Sequence, residues 1–76
     1  MTAMTPREKQ LHNLRRLEYL KGQWSRAHRV GVAVDLYGEM EVVRFLESDR
    51  TPIVCGPGNP FLTACAFLEA ELKRAS

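Results

Sequence analysis

The chain has 76 residues with a net charge of +2; 45% of them are hydrophobic and 26% charged. This length allows one domain, and this composition excludes a wholly disordered chain. No apolar run approaches the ~18 residues of a membrane span, and the N-terminus lacks a secretory signal core, so we expect a cytoplasmic protein. We expect residues 1–4 to be frayed and residues 5–76 to form a single small domain.

The first predicted element is a helix over Pro6–Lys21. Thr5 can cap it, proline suits the first helical position, and Glu8 stands where a capping box requires it. Gly22 is predicted to end the helix, because glycine accepts the left-handed conformation of a helix terminus.

Cations cluster in this part of the chain. Residues 1–29 contain seven Lys or Arg and two acidic residues, a net charge of +5. Residues 30–76 contain four Lys or Arg and seven acidic residues, a net charge of −3. A basic stripe of this kind attracts phosphate backbones, acidic proteins or another copy of the chain, and it is also typical of a solvated helix face. The candidate partner or nucleic-acid surface comprises Lys9, His12, Arg15, Arg16, Tyr19, Arg26 and Arg29.

The second predicted element is a β-hairpin. Apolar residues alternate along residues 30–37, and Gly38 can take the first position of a type II′ turn with Glu39. This turn sets Val34 opposite Val43 and Val32 opposite Phe45. The alternative is a helix over residues 35–48, capped by Asp35.

Both faces of the predicted hairpin carry apolar residues, although Asp35 and Arg44 interrupt one of them. The uninterrupted face is predicted to join the core, and the other must be covered by a helix or by a second subunit. The core face comprises Val30, Val32, Val34, Val43 and Phe45. Trp24 is either an anchor at the edge of the core or an interface residue, because tryptophan is enriched at interfaces. The candidate interface therefore comprises Trp24, Tyr37, Met40, Val42 and Leu46.

A short edge strand over residues 52–55 and a helix over Pro60–Arg74 complete the prediction. Pro57-Gly58 is expected to form a type II turn, and Asn59 to cap the helix. The fold class is then α+β, a single small α-β-β-(β)-α domain with an antiparallel hairpin packed against one or two helices. The two prolines remove backbone donors that a phosphate-binding loop would use.

The sequence contains no recognisable combination of residues for catalysis or metal binding. Cys55 and Cys65 are separated by nine residues, too many for a typical zinc pair or dithiol motif, and the histidines are distant in sequence. The acids around the hairpin, among them Glu41, are expected to lie in solvent. We therefore expect no cofactor, no metal and no enzymatic activity.

The sequence leaves two functional hypotheses. At this size one core rarely supplies more than ~3–5 kcal/mol, so self-association is an economical source of further stability. The leading hypothesis is a regulatory module that binds another protein, acts as a homodimer and belongs to a phage or mobile element. The alternative is a nucleic-acid-binding or transcription-modulating protein that uses the basic first helix.

Overall fold

The computed structural model describes residues 4–58 and 60–75. Predicted cap Asn59 and most of the predicted frayed segment lie outside the described residues. The elements are, in chain order, α1 (Pro6–His28), β1 (Val32–Tyr37), β2 (Met40–Phe45), β3 (Ile53–Pro57) and α2 (Leu62–Ala75). The predicted α+β class is confirmed.

Helix α1 begins as predicted but is longer. The Thr5 hydroxyl accepts a hydrogen bond from the Glu8 N–H at 3.2 Å, and Pro6 is the first helical residue. The prediction that Gly22 ends the helix is wrong, because α1 continues to His28 and is closed by Arg29 in the left-handed conformation, φ 58°. Continuing the helix buries Trp24 completely. Burial of a tryptophan is worth several kcal/mol, whereas a glycine inside a helix costs about 1 kcal/mol.

The three strands form an antiparallel sheet in the order β1-β2-β3. Val32 pairs with Phe45 and Val34 with Val43, so the predicted hairpin register is confirmed and the alternative helix is excluded. Gly38 has φ 63°, the positive value that the first position of a type II′ turn requires.

Both helices pack on the same face of the sheet. The Trp24 ring of α1 lies 5.4 Å from the Phe45 ring, and the Glu41 carboxylate contacts the first turn of α2. Glu41 and Phe45 are four residues apart on one strand and so share a face. The smallest dimension of the molecule is 18 Å, as expected for two layers. Within the described part of the chain, no helix covers the opposite face.

The segment between β3 and α2 differs from the predicted turn. Gly58 has no positive φ, and the nearest glycine that has one is Gly56 inside β3, at 124°, beside a register shift between Glu41 and Val42. Helix α2 begins at Leu62, two residues later than expected, and is preceded by Phe61 at φ 71°. The predicted type II turn at Pro57-Gly58 is therefore wrong.

Candidate interaction surfaces

Trp24 is the centre of an aromatic cluster inside the molecule. It has no exposed surface, its ring stacks on His28 with centroids 4.1 Å apart, and the Arg50 guanidinium lies 5.8 Å from its centroid. This corrects its place among the candidate interface residues, since a fully buried side chain presents nothing to a partner. The indole Nε1 has no hydrogen-bond partner among the described residues.

Glu41 is a buried cap for α2, although its position between acids suggested solvent exposure. Its carboxylate is 0% exposed and accepts hydrogen bonds from the Phe61 N–H at 2.6 Å, the Thr63 hydroxyl at 2.8 Å and the Ala64 N–H at 3.0 Å. These N–H groups belong to the helix start, where they lack partners inside the helix. The alternation of side chains along a strand could have indicated this role. Glu41 is two residues before Val43, so both side chains lie on the core face of the sheet.

The basic face of α1 is largely free of the core. Arg16 is the exception, because its guanidinium forms an ion pair with Glu69 of α2 and holds the two helices together. From Lys9 to Arg26 this face spans about 25 Å along the helix axis. The predicted residues that are exposed are Lys9, His12, Arg15, Tyr19, Arg26 and Arg29.

The uncovered side of the sheet carries an apolar area that we call the open sheet face. One row across the strands is Tyr37, Met40 and Pro57, and the next contains Val42 and Val54. Tyr37 is 65% exposed and Val54 is 60% exposed. The open sheet face is defined by these five residues, of which Tyr37, Met40 and Val42 were predicted as interface residues.

This side of the sheet also carries two charged residues, of which Asp35 pairs with Val42 and Arg44 pairs with Ala33. Arg44 donates a hydrogen bond from Nε to the Asp35 carboxylate at 2.8 Å, and this bond, together with the charge of Asp35, raises the pKa of Arg44. The predicted interface residue Leu46 is 38% exposed, and its side chain packs over Gly31. The ion pair neutralises both charges, so the apolar part of this side is concentrated in the open sheet face.

The thiols lie in environments that favour their protonated form. Burial raises the pKa of Cys55 and that of Cys65, and the nearby negative charge of Glu41 adds to both shifts. Nowhere in residues 4–58 and 60–75 do three His, Cys, Asp or Glu side chains gather as a metal-binding group. The same residues include no helix with the length and apolar character needed to cross a membrane.

Comparison of the chain with protein-family models, with curated proteins and with solved structures finds no match.

Proposed function

We propose that this chain is a small protein-binding module that self-associates through the open sheet face. The observation that carries the proposal is an apolar sheet surface left uncovered in a two-layer fold. The largest contiguous apolar patch on the surface of a protein is often functional. Tyr37 and Val54 are each more than half exposed here, so their burial in a dimer would remove apolar surface from water.

The size of the surface predicts a weak dimer. Two rows of residues across three strands, with the strands about 4.8 Å apart and about 3.3 Å per residue, give a face of roughly 200 Å² in projection. Each partner in a standard stable interface buries about 800 Å². The dimer is therefore expected to form and dissociate with concentration, which suits a regulatory protein that exchanges partners.

The test is sedimentation equilibrium from micromolar to millimolar protein concentration. Val54→Lys places a charge on the open sheet face at an edge strand, where lysine is well tolerated. The matched control is Leu36→Lys, at a residue 49% exposed on the other edge strand and on the helix side of the sheet. We expect Val54→Lys to weaken dimerisation about tenfold or more and Leu36→Lys to leave it within about twofold.

Two results would contradict this proposal. One is a wild-type chain that stays monomeric at millimolar concentration. The other is an equal effect of both substitutions, which would place the contact elsewhere.

A second candidate function is nucleic-acid binding by the basic face of α1, favoured by five exposed predicted residues along the helix and by Arg29 at its C-cap. The test is binding to a labelled DNA duplex across a salt series. Arg15→Glu is compared with Arg74→Glu, the same charge change at an exposed arginine near the end of α2. In Arg15→Glu alone, loss of a phosphate contact should reduce the slope of the logarithm of the binding constant against the logarithm of the salt concentration by about 1. Equal slopes in both variants would exclude the basic face as the binding surface.

A further inference from the structure

The apolar stripe of α1 extends beyond the core that it helps to build. Leu17 is 2% exposed, whereas Leu14 is 37% exposed and Leu11 is 48% exposed. The leucines follow one another at spacings of three, so the same pattern that fills the core continues toward the N-terminus of the helix. Nothing in the described part of the chain buries its first two members.

Beside these leucines lies a groove. It has a volume of about 280 Å³ and is lined by Arg7, Gln10, Leu11, Leu14 and Phe61. The four residues from α1 stand at i, i+3, i+4 and i+7, so they form one face of the helix. We call this the α1 groove. Its α1 wall extends about 10 Å along the axis, the length of about two helical turns.

The opposite wall of the α1 groove is held in place before any partner arrives. Phe61 has φ 71°, a left-handed conformation that is uncommon for a bulky residue, and its N–H is bonded to Glu41 at 2.6 Å. The Asn13 amide donates to the carbonyl of Pro60 at 3.3 Å and so fixes the adjoining backbone against α1. Backbone strain of this kind is often retained where it positions a functional side chain.

A second, polar cavity of about 430 Å³ shares Arg7 and Gln10 with the α1 groove and adds Lys9. Both Arg7 and Lys9 are exposed, and neither forms an ion pair with any residue that the structure describes. The groove is therefore an apolar cleft with one cation, Arg7, along its rim, and Lys9 lies beyond it in the neighbouring cavity.

We propose that the α1 groove binds a short amphipathic helix of another protein, with apolar side chains against Leu11, Leu14 and Phe61 and a carboxylate against Arg7. Apolar anchors spaced three and four residues apart are the usual way in which a helix fills such a groove. Two leucines and one aromatic ring favour aliphatic side chains over sugars and phosphates. This inference rests on the proposed protein-binding role, but it uses a surface separate from the open sheet face.

The probe is a fluorescein-labelled helical peptide of leucine and glutamate with leucines at spacings of three and four. Its control has the same composition with the leucines dispersed. Binding is measured by fluorescence anisotropy, and the site is mapped by amide chemical shifts of the intact chain. We expect shifts at Gln10, Leu11, Leu14 and Phe61 and at least about fivefold weaker binding of the dispersed peptide.

Leu11→Glu is the test variant and Leu62→Glu its matched control, because these leucines are 48% and 44% exposed and both lie on helices. We expect Leu11→Glu to weaken peptide binding about tenfold or more and Leu62→Glu to change it less than about twofold. Val54→Lys should leave peptide binding intact, so failure of the dimer and failure of the groove are distinguished.

Three outcomes would overturn the proposal: no peptide binding at millimolar concentration, shifts confined to other surfaces, or equal effects of the two leucine variants. A parallel titration uses single-stranded oligothymidine. If the oligonucleotide shifts the groove amides and the peptide does not, the groove is a nucleic-acid site instead.

Discussion

Removing the carboxylate of Glu41 should show that α2 depends on β2 for its first turn. In Glu41→Gln, the side-chain oxygen can still accept from Thr63 and Ala64, but the new NH₂ group then faces the Phe61 N–H, whose bond was 2.6 Å. One buried donor loses its partner, which costs about 1–3 kcal/mol. Glu41→Ala also removes the acceptor for Ala64 and leaves a void, so its cost reaches about 3–5 kcal/mol.

Those costs are large for this chain. A core of this size supplies ~3–5 kcal/mol, so Glu41→Ala is expected to be mostly unfolded and Glu41→Gln folded but weakened. At a urea slope near 1 kcal/mol/M, a loss of about 2 kcal/mol lowers the midpoint by about 2 M. Trp24 is the one tryptophan in the sequence, and it is fully buried, so its fluorescence reports unfolding directly.

The matched control is Glu39→Gln, which removes the same charge from an exposed residue of the adjacent turn. Its midpoint should move by less than about 0.5 M. If Glu41→Gln and Glu41→Ala also stay within that limit, the carboxylate does not hold the start of α2, and the reasoning from its three hydrogen bonds fails.

Three further predictions concern backbone and thiols. An added Cβ meets no atom within 4 Å at Gly22 or at Gly56, yet the effects should be opposite. Gly22→Ala, inside α1, should raise stability by about 0.5–1 kcal/mol in urea unfolding, and a decrease would contradict continuity of the helix there. Gly56→Ala, at φ 124°, should lower stability by about 1–2 kcal/mol, and an unchanged midpoint would show that this backbone relaxes freely. Burial raises the pKa of the Cys55 and Cys65 thiols above 9.0, so their contribution is complete below that pH and is lost as pH rises through the raised values. We expect the urea midpoint to fall above pH 9.0 and Cys55→Ala to reduce that fall; an equal fall in the variant would contradict the assignment.

Features that depend on residues close together in the sequence were predicted correctly. The Thr5 cap and the hairpin register follow from short sequence signals, and both are present. The length of α1 could not be predicted from Gly22 alone, since burial of Trp24 outweighs the cost of a glycine. The start of α2 was mispredicted because Glu41, which lies at least 20 residues away, binds the N–H groups there.

The candidate surfaces were predictable to the extent that strand alternation sets them. The alternation of side chains along the strands placed Tyr37, Met40 and Val42 on the side opposite the core. It does not determine whether both helices pack on the same face of the sheet. The groove beside α1 was not foreseen, because it depends on Phe61, whose place is set by the distant Glu41 cap. The burial of Trp24 likewise depends on long-range packing against Phe45.

The pairing of α1 with α2 also bears on the order in which the chain can fold. The hairpin joins neighbours through a two-residue turn, whereas the contact of Asn13 with Cys65 spans 52 residues and that of Asn13 with Pro60 spans 47. Closing a loop of about 50 residues costs roughly 3.5 kcal/mol of chain entropy by the logarithmic law, before any contact compensates for it. We therefore expect the docking of α2 on α1 to follow formation of the hairpin, which already places Glu41 to bind the first turn of α2.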